Sequence, residues 1–326
     1  MNIGVIGTFW LTDEFIKAIK LTDKVKYYGQ YSRSMERAKE YGGRHGAVTF
    51  YDSLEDMAND EHIDIVYIAS PNMLHYKQSK LFLEAKKHVI CEKPITVCID
   101  EFKELSLLAD KNNVIYMEAM MNTHVEWAKT LKDIIKENEK GIVSARFDFS
   151  QRSSKLERLK KGEHISTFDK GSCGGALMDL GVYCTSLVTY LFGSPQKISA
   201  HAHFSEKGVD LTDTVMLEYP SFDCTFTITK LSESIARSEI LLSDSAITFK
   251  NVSQLQSLVF QTPSKKSVIH GENSFSESMI YEIQDMVKYI EGDTNAYLEN
   301  RKHTEMSISL LEEIRNHIGY DIKSYE

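Results

Sequence analysis

The sequence predicts an α/β protein in two parts: a doubly wound parallel sheet, then an α+β domain on a largely antiparallel, open sheet. Three observations carry this. The first third alternates short runs rich in Val, Ile and Tyr with amphipathic stretches, the rhythm of a parallel sheet covered on both faces. After about residue 120, strand-like segments follow one another with period-two alternation, as in a sheet covered on one face. A chain of 326 residues also exceeds what one core comfortably serves. Two domains are therefore expected, at 1–120 and 121–326, with the closing helices packing back near the first.

In chain order, "NIGVI", "VKYYGQY", "IDIVYIA", "KHVIC" and "VIYME" read as strands. "TDEFIKAIKL", "SMERAKEYG", "MLHYKQSKLFLEA" and "IDEFKELSLLADKN" read as the helices between them. Ser34 is the expected cap of the second helix, which should stop at Gly42, and Asp100 the expected cap of the fourth. Farther on, "VEWAKTLKDIIKENEKG" is helical, "IVSARFDFS" a strand, and a polar segment follows with basic clusters around Lys155 to Lys161. "GALMDLGVYCTSLVTYLFG" is a helix stopped at Gly193 ahead of Pro195. Strands are then expected at "KISAHAHF", "TVMLEY", "CTFTITKL", "SEILLSD", "AITF" and "QSLVF", and two helices close the chain.

A net charge of -9 argues against a nucleic-acid partner, which needs a basic face. No run is expected to cross a bilayer, and "MNIGVIG" enters a strand with no leader, so no membrane partner and a cytoplasmic location are expected. The five cysteines form no CxxC pair and no zinc-type spacing with histidine, so no metal is expected; they suit a reducing compartment.

The first strand hands over to the first helix at "GVIGTFWLTDEF", where a dinucleotide-binding turn of the Rossmann type would read G-x-G-x-x-G. Gly7 is the first glycine, but Phe9 and Thr12 occupy the places of the second and third. Were Phe9 held in a glycine-type dihedral, strain of about 1–3 kcal/mol would follow. The second strand ends in Ser32 and Arg33, with no acid for ribose hydroxyls. A hydroxyl and a guanidinium suit a 2'-phosphate, so NADP is the expected cofactor, with NAD the alternative.

Three stretches go beyond fold class: "ASPNMLHY" (69–76), "CEKPIT" (91–96) and "GGALMDLGVYC" (174–184). On these the chain resembles the glucose–fructose oxidoreductase / inositol dehydrogenase (Gfo/Idh/MocA) family nearly end to end. With "YSRS" (31–34), "EAMM" (118–121) and Tyr183, it is most similar to the dihydrodiol/xylose dehydrogenase branch. The resemblance implies an NAD(P)-dependent oxidoreductase moving hydride between nicotinamide and a secondary alcohol or carbonyl of a sugar, polyol or vicinal diol. It also implies a homodimer or homotetramer formed through the C-terminal sheet. The implied cofactor contacts are Gly7, Thr8, Phe9, Trp10, Ser32, Arg33, Ser70, Pro71, Asn72, His75, Glu92 and Lys93.

The implied catalytic residues are Lys93, Tyr183 and Asp179. A lysine at a strand's carboxyl end stabilises the oxygen charge that develops as hydride leaves carbon. The resemblance implies that Pro94 shapes the turn after it, commonly through a cis bond. Asp179 and Tyr183 lie four apart within a helical stretch, so they are expected to share one face a single turn apart. An ammonium such as Lys93 would favour the phenolate of Tyr183 and bring it into range for proton exchange. Asp179 would anchor a substrate hydroxyl or hold Lys93. His75 reads equally as a satisfied structural histidine. Glu118 is expected to line the site, and the branch's E-A-x-W-T-R-F run is replaced by "EAMMNTHVEW", so His124 and Trp127 stand in for the missing Trp and Arg. The rival reading is a non-catalytic sensor or binding protein whose cofactor loop has drifted.

Overall fold

The computed structural model describes residues 1–322 and divides into two compact units. The first comprises Met1–Ala119 with Ser274–Lys302, the second Met120–Asn273 with the chain from His303 onward.

In the first unit, β1 (Asn2–Ile6), α1 (Trp10–Lys20), β2 (Lys26–Tyr31), α2 (Met35–His45), β3 (Thr49–Tyr51), α3 (Leu54–Asn59), β4 (Ile65–Ile68), α4 (His75–Glu84), β5 (His88–Glu92), α5 (Ile99–Asn112) and β6 (Tyr116–Ala119) follow in order. The strands pair in parallel in the order β3-β2-β1-β4-β5-β6, the dinucleotide-binding arrangement with its switch point between β1 and β4. Ile3, Val5, Ile65, Val66, Val89 and Ile90 are wholly buried, as strands covered on both faces require. Phe15 of α1 stacks flat on Tyr67 of β4, with centroids 3.5 Å apart. Full burial of such side chains contributes about 1.5–3 kcal/mol each.

Two helix ends differ from the sequence expectation. Ser34 does cap α2, accepting from the Arg37 amide, but the helix runs through Gly42 and stops at Gly46, where φ is +88°. A Cβ on Gly42 would fall 2.7 Å from Cβ of Gln30, so that glycine serves close packing of helix on strand. α5 is capped at Cys98, placing Asp100 inside the first turn, and Glu101 reaches back to accept from the Val97 amide at 3.1 Å.

The second unit opens with α6 (Met121–His124) and α7 (Glu126–Glu137), then β7 (Ile142–Ser150) and α8 (Leu156–Lys160). A π-helical turn, Leu177–Gly181, runs directly into α9 (Val182–Phe192). β8 (Lys197–Phe204), β9 (Asp210–Glu218), β10 (Asp223–Thr229), β11 (Ser238–Leu242), β12 (Ala246–Lys250), β13 (Gln256–Gln261) and β14 (Lys266–His270) complete the set. They form a mixed, mostly antiparallel sheet in the order β14-β13-β12-β11-β7-β10-β9-β8, with β7 and β10 parallel. Ala145 and Phe147 of β7 and Cys224, Phe226 and Ile228 of β10 form its buried face. The segment 170–192 is long and apolar enough to span a bilayer, contrary to the sequence reading, but 83% of its apolar window is buried in the protein.

α10 (Phe275–Ile290) belongs to the first unit. Its cap is a complete capping box, Ser274 with Glu277, and Glu282 sits on its buried face. α11 (Thr294–His317) belongs to the first unit as far as Lys302 and to the second from His303.

Candidate active site

The first unit brings most of the expected cofactor residues to the carboxyl ends of its strands. Gly7 closes β1 with φ at +127°; a Cβ there would fall 2.7 Å from the Ala69 carbonyl oxygen and 2.8 Å from Thr12 Oγ1. Gln30, wholly buried in β2, donates to the Gly7 carbonyl at 2.9 Å and accepts from the Tyr27 hydroxyl at 2.6 Å. Arg37 of α2 donates from Nε to Thr8 Oγ1 at 3.0 Å and from Nη2 to the Thr8 carbonyl at 3.3 Å. The loop is thus fixed from below and from the side, although two glycines of the motif are missing.

Phe9 caps α1 with φ −133° and ψ 175°, extended backbone that any residue adopts, so no glycine-type strain arises. Its ring and that of Trp10 are exposed, and Trp10 meets Phe275 of α10 edge-on at 5.2 Å. No side chain caps α1, which leaves its first-turn amides open to an anion. Thr12 Oγ1 and Ser70 Oγ are buried without a hydrogen-bond partner among the described residues. A cradle that admits no Cβ, an open helix start and two unpaired hydroxyls fit the diphosphate of a dinucleotide. This geometry removes the main argument for a drifted loop.

Ser32 donates its amide to the Tyr51 carbonyl at 3.0 Å, while Arg33 is exposed at the end of β2. Arg37, one turn beyond Arg33, is the residue that sequence reasoning missed here; its spacing along α2 was the available signal. Pro71 caps a short 3-10 turn that begins at Asn72. His75 is wholly buried, its Nδ1 2.8 Å from the Pro94 carbonyl oxygen and its Nε2 2.9 Å from that of Ser70. It braces one loop against the other. Burial holds the imidazole below its usual range, against the pull of the two carbonyls.

Lys93 follows β5 and is half-buried, and the Lys93–Pro94 peptide bond is cis. Two buried carboxyl groups, Glu92 and Glu118, act on this turn, and a third, Glu282, acts on both of them. Glu92 accepts from the Tyr67 hydroxyl at 2.6 Å. Glu118, 2% exposed, accepts from the Ile95 amide at 2.9 Å, so it supports the turn and does not line an opening. Burial pushes Glu118 up to about 7, opposed by the Ile95 amide and the Lys93 charge and reinforced by Glu92. Glu282 of α10 lies well above the usual carboxylate range, first through burial and then through the charges of Glu92, Glu118 and Asp285.

In the second unit, Tyr183 is 8% exposed and its ring meets Phe149 edge-on at 5.6 Å. Its carbonyl accepts from Nδ2 of the buried Asn122 at 3.0 Å. The α-helical register assumed between Asp179 and Tyr183 is broken, because the π turn holding Asp179 has one residue more than an α turn. A Cβ on Gly181 would fall 2.7 Å from the side-chain ends of Ile228 and Leu177, which would have to move aside. Asp179 forms an ion pair with Lys230, whose side chain is 5% exposed against 36% for the aspartate. Lys230 was legible in retrospect: Cys224, Phe226 and Ile228 face inward, and the next position in that alternation is a lysine. Trp127 is committed to packing, not substrate, with Nε1 donating to the Gln254 carbonyl at 2.8 Å and its ring flat on His270. His124 is 2% exposed, so the "EAMMNTHVEW" departure fills a core.

Against known proteins, the family model described as "Oxidoreductase family, NAD-binding Rossmann fold" matches residues 1–120, and the GFO/IDH/MocA C-terminal domain matches 128–244. The scyllo-inositol 2-dehydrogenase (NADP(+)) IolU of Bacillus subtilis is 32% identical over 98% of this chain and 97% of that protein. The chain belongs to the GFO/IDH/MocA oxidoreductase family. It is an NAD(P)-dependent dehydrogenase or reductase acting on CH–OH groups. A second GFO/IDH/MocA relative, the trans-1,2-dihydrobenzene-1,2-diol dehydrogenase of Macaca fuscata fuscata, is 29% identical over 69% of this chain and 68% of that protein. Among solved structures, the 3-ketoreductase KijD10 of Actinomadura kijaniata, in complex with TDP-benzene and NADP, shares the fold. Its TM-score is 0.81 at 19% identity, covering 98% of both chains.

Proposed function

We propose that this enzyme is an NADP-preferring dehydrogenase of a cyclic polyol or vicinal diol, with Lys93, Tyr183 and Asp179 as its reaction groups. The relatives that act on scyllo-inositol and on a dihydrodiol support that substrate class. The observation that carries the cofactor preference is the pair of guanidinium-bearing residues at β2–α2. Arg33 is exposed, and Arg37 is already fixed on the Thr8 loop, where a 2'-phosphate would find two guanidinium groups.

A nicotinamide held there would supply the hydride acceptor or donor. The chain's own residues do the rest. Gly7, Thr8, Phe9 and Trp10 shape the diphosphate cradle with the first amides of α1; Ser70, Pro71 and Asn72 complete its rim. His75 and Glu92 hold the loops beside it. The Lys93 ammonium stabilises the charge on the reacting oxygen, and Tyr183 exchanges that oxygen's proton. Asp179, paired with and aimed by Lys230, accepts a hydrogen bond from a second substrate hydroxyl.

The same reading places the enzyme in the cytoplasm, supported by five free cysteines. It also makes the enzyme a homodimer or homotetramer through the open sheet face, where Val143, Met216 and Leu241 are exposed. Titration with NADPH and NADH, followed by a turnover screen of inositols and trans-diols, tests the reading. Tighter NADPH binding with turnover of a vicinal diol is expected; failure of both nucleotides to bind at millimolar concentration sinks it.

A further inference from the structure

We propose that Asp210 and Asp213 share one proton and that this buried pair positions the segment carrying Asp179 and Tyr183. The inference rests on the reading of those two residues as reaction groups.

Both aspartates face inward on β9 and are wholly buried. Asp213 begins an inward alternation that continues with Val215 and Leu217, so an acid occupies a core position. Asp210 Oδ2 accepts from the Leu177 amide at 2.6 Å, at the start of the π turn. A Cβ on Gly175, where φ is +114°, would fall 1.9 Å from Asp210 Oδ1, so the chain passes directly over this carboxyl group. Asp210 Oδ1 and both oxygens of Asp213 have no donor among the described residues.

The side chains around the pair offer none, and the backbone amides nearby serve Asp210 alone. Across the sheet Asp213 stands opposite Ala202 of β8 and Ile228 of β10, and Asp210 opposite Phe204. The Tyr320 hydroxyl, which feels the charge of Asp210, is spent on the Gly174 carbonyl at 3.0 Å. The Lys230 ammonium is paired with Asp179. Buried acceptor oxygens without a donor are costly, and a proton between the two acids relieves most of that cost. With that proton, Asp213 donates to Asp210, and Asp210 keeps its second oxygen for Leu177. Burial and the Asp210 charge push Asp213 up to about 9, in keeping with a proton held at neutral pH.

The device works on the π turn. Leu177 is the first residue of that turn, Asp179 lies two residues on, and Tyr183 follows in the first turn of α9. An acceptor fixed at Leu177 sets where the turn begins and so where both side chains emerge. Asp213 is therefore a positioning residue, acting through Asp210.

The test compares wild type with Asp213→Asn and Asp213→Ala. An unfolded aspartate ionises near pH 4, whereas the folded one keeps its proton to about 9. Holding it costs stability progressively as pH rises between those limits, and no further above them. Asn keeps a donor toward Asp210 but holds no titrating proton. The melting temperature of Asp213→Asn should therefore gain on wild type by several degrees from pH 5 to 9, then stop. A difference that stays constant over that range overturns the proposal. Asp213→Ala should lower kcat about tenfold with KM and NADPH affinity held, and Asp213→Asn should restore it to within about threefold. Equal kcat in the alanine variant and wild type also overturns it. Should a variant fail to fold, infrared spectra of the wild type decide: a protonated-carboxyl band must disappear as pH rises through about 9. If wild type binds no nicotinamide nucleotide, the functional reading falls, while the melting and infrared results still judge the acid pair.

Discussion

In the first unit, Glu92 and Glu118 act on the turn that carries a lysine, and each accepts a donor, from Tyr67 or from the Ile95 amide. In the second, Asp213 faces the carboxyl group of Asp210. All four are nearly or wholly buried. Yet Glu118 is held only to about 7, whereas Asp213 is pushed up to about 9. Burial sets the direction in both cases; the neighbouring charge sets how far each goes. The comparison separates two uses of a buried acid. At Lys93, a carboxylate ready to ionise near neutrality supports a cationic turn. Beneath the π turn, a retained proton supplies a hydrogen-bond donor that the backbone does not.

The variants that break this contrast most severely are those of the proposed reaction groups. Lys93→Ala should lower kcat by about a thousandfold while NADPH still binds, as steady-state rates and fluorescence titration would show. Retained turnover would remove Lys93 from the chemistry. Tyr183→Phe, which deletes the hydroxyl proposed to exchange the proton and keeps the ring, should cost about a hundredfold in kcat.

Glu118→Gln sharpens the comparison through stability. The folded carboxyl has its pKa raised to about 7 from a reference of 4.5, so keeping its proton costs stability as pH rises between these values, and no more above about 7. The glutamine variant should therefore gain on wild type between pH 5 and pH 8 by up to about 3 kcal/mol in urea unfolding. Its gain should level off near pH 7, two units before that of Asp213→Asn. Arg37→Ala should weaken NADPH about tenfold and leave NADH nearly unchanged. Equal losses for both nucleotides would assign Arg37 to the loop alone. The smallest effect is expected for Phe9→Gly. Because Phe9 already has an extended backbone, nucleotide affinity should change by no more than about threefold.

Apart from β3 and α3, the order of strands and helices in the first unit, Gly7 at the head of α1, the Lys93–Pro94 turn and the stop at Gly193 were readable along the chain. β3, α3 and β14 were not read, because "TFY", "LEDMAN" and "KSVIH" are too short to show a period. The extension of α2 past Gly42 was hidden for another reason: the glycine answers to Gln30 across a packing contact and does not end a helix. Polar residues at inward positions escaped in the same way. Gln30, Lys230, Asp213 and Glu282 each interrupt an apolar face and look like exceptions until their partners are known.

Amphipathic period, turn residues and the spacing of motifs are short-range properties, so the order of residues alone was enough to specify the two-part α/β plan and the family-bearing stretches. Protonation was another matter. Glu92, Glu118 and Glu282 come from β5, β6 and α10, and Asp210 meets Leu177 across a separation of 33 residues. The charge each acid carries depends on water excluded and donors supplied by remote segments, and only folding brings those segments together.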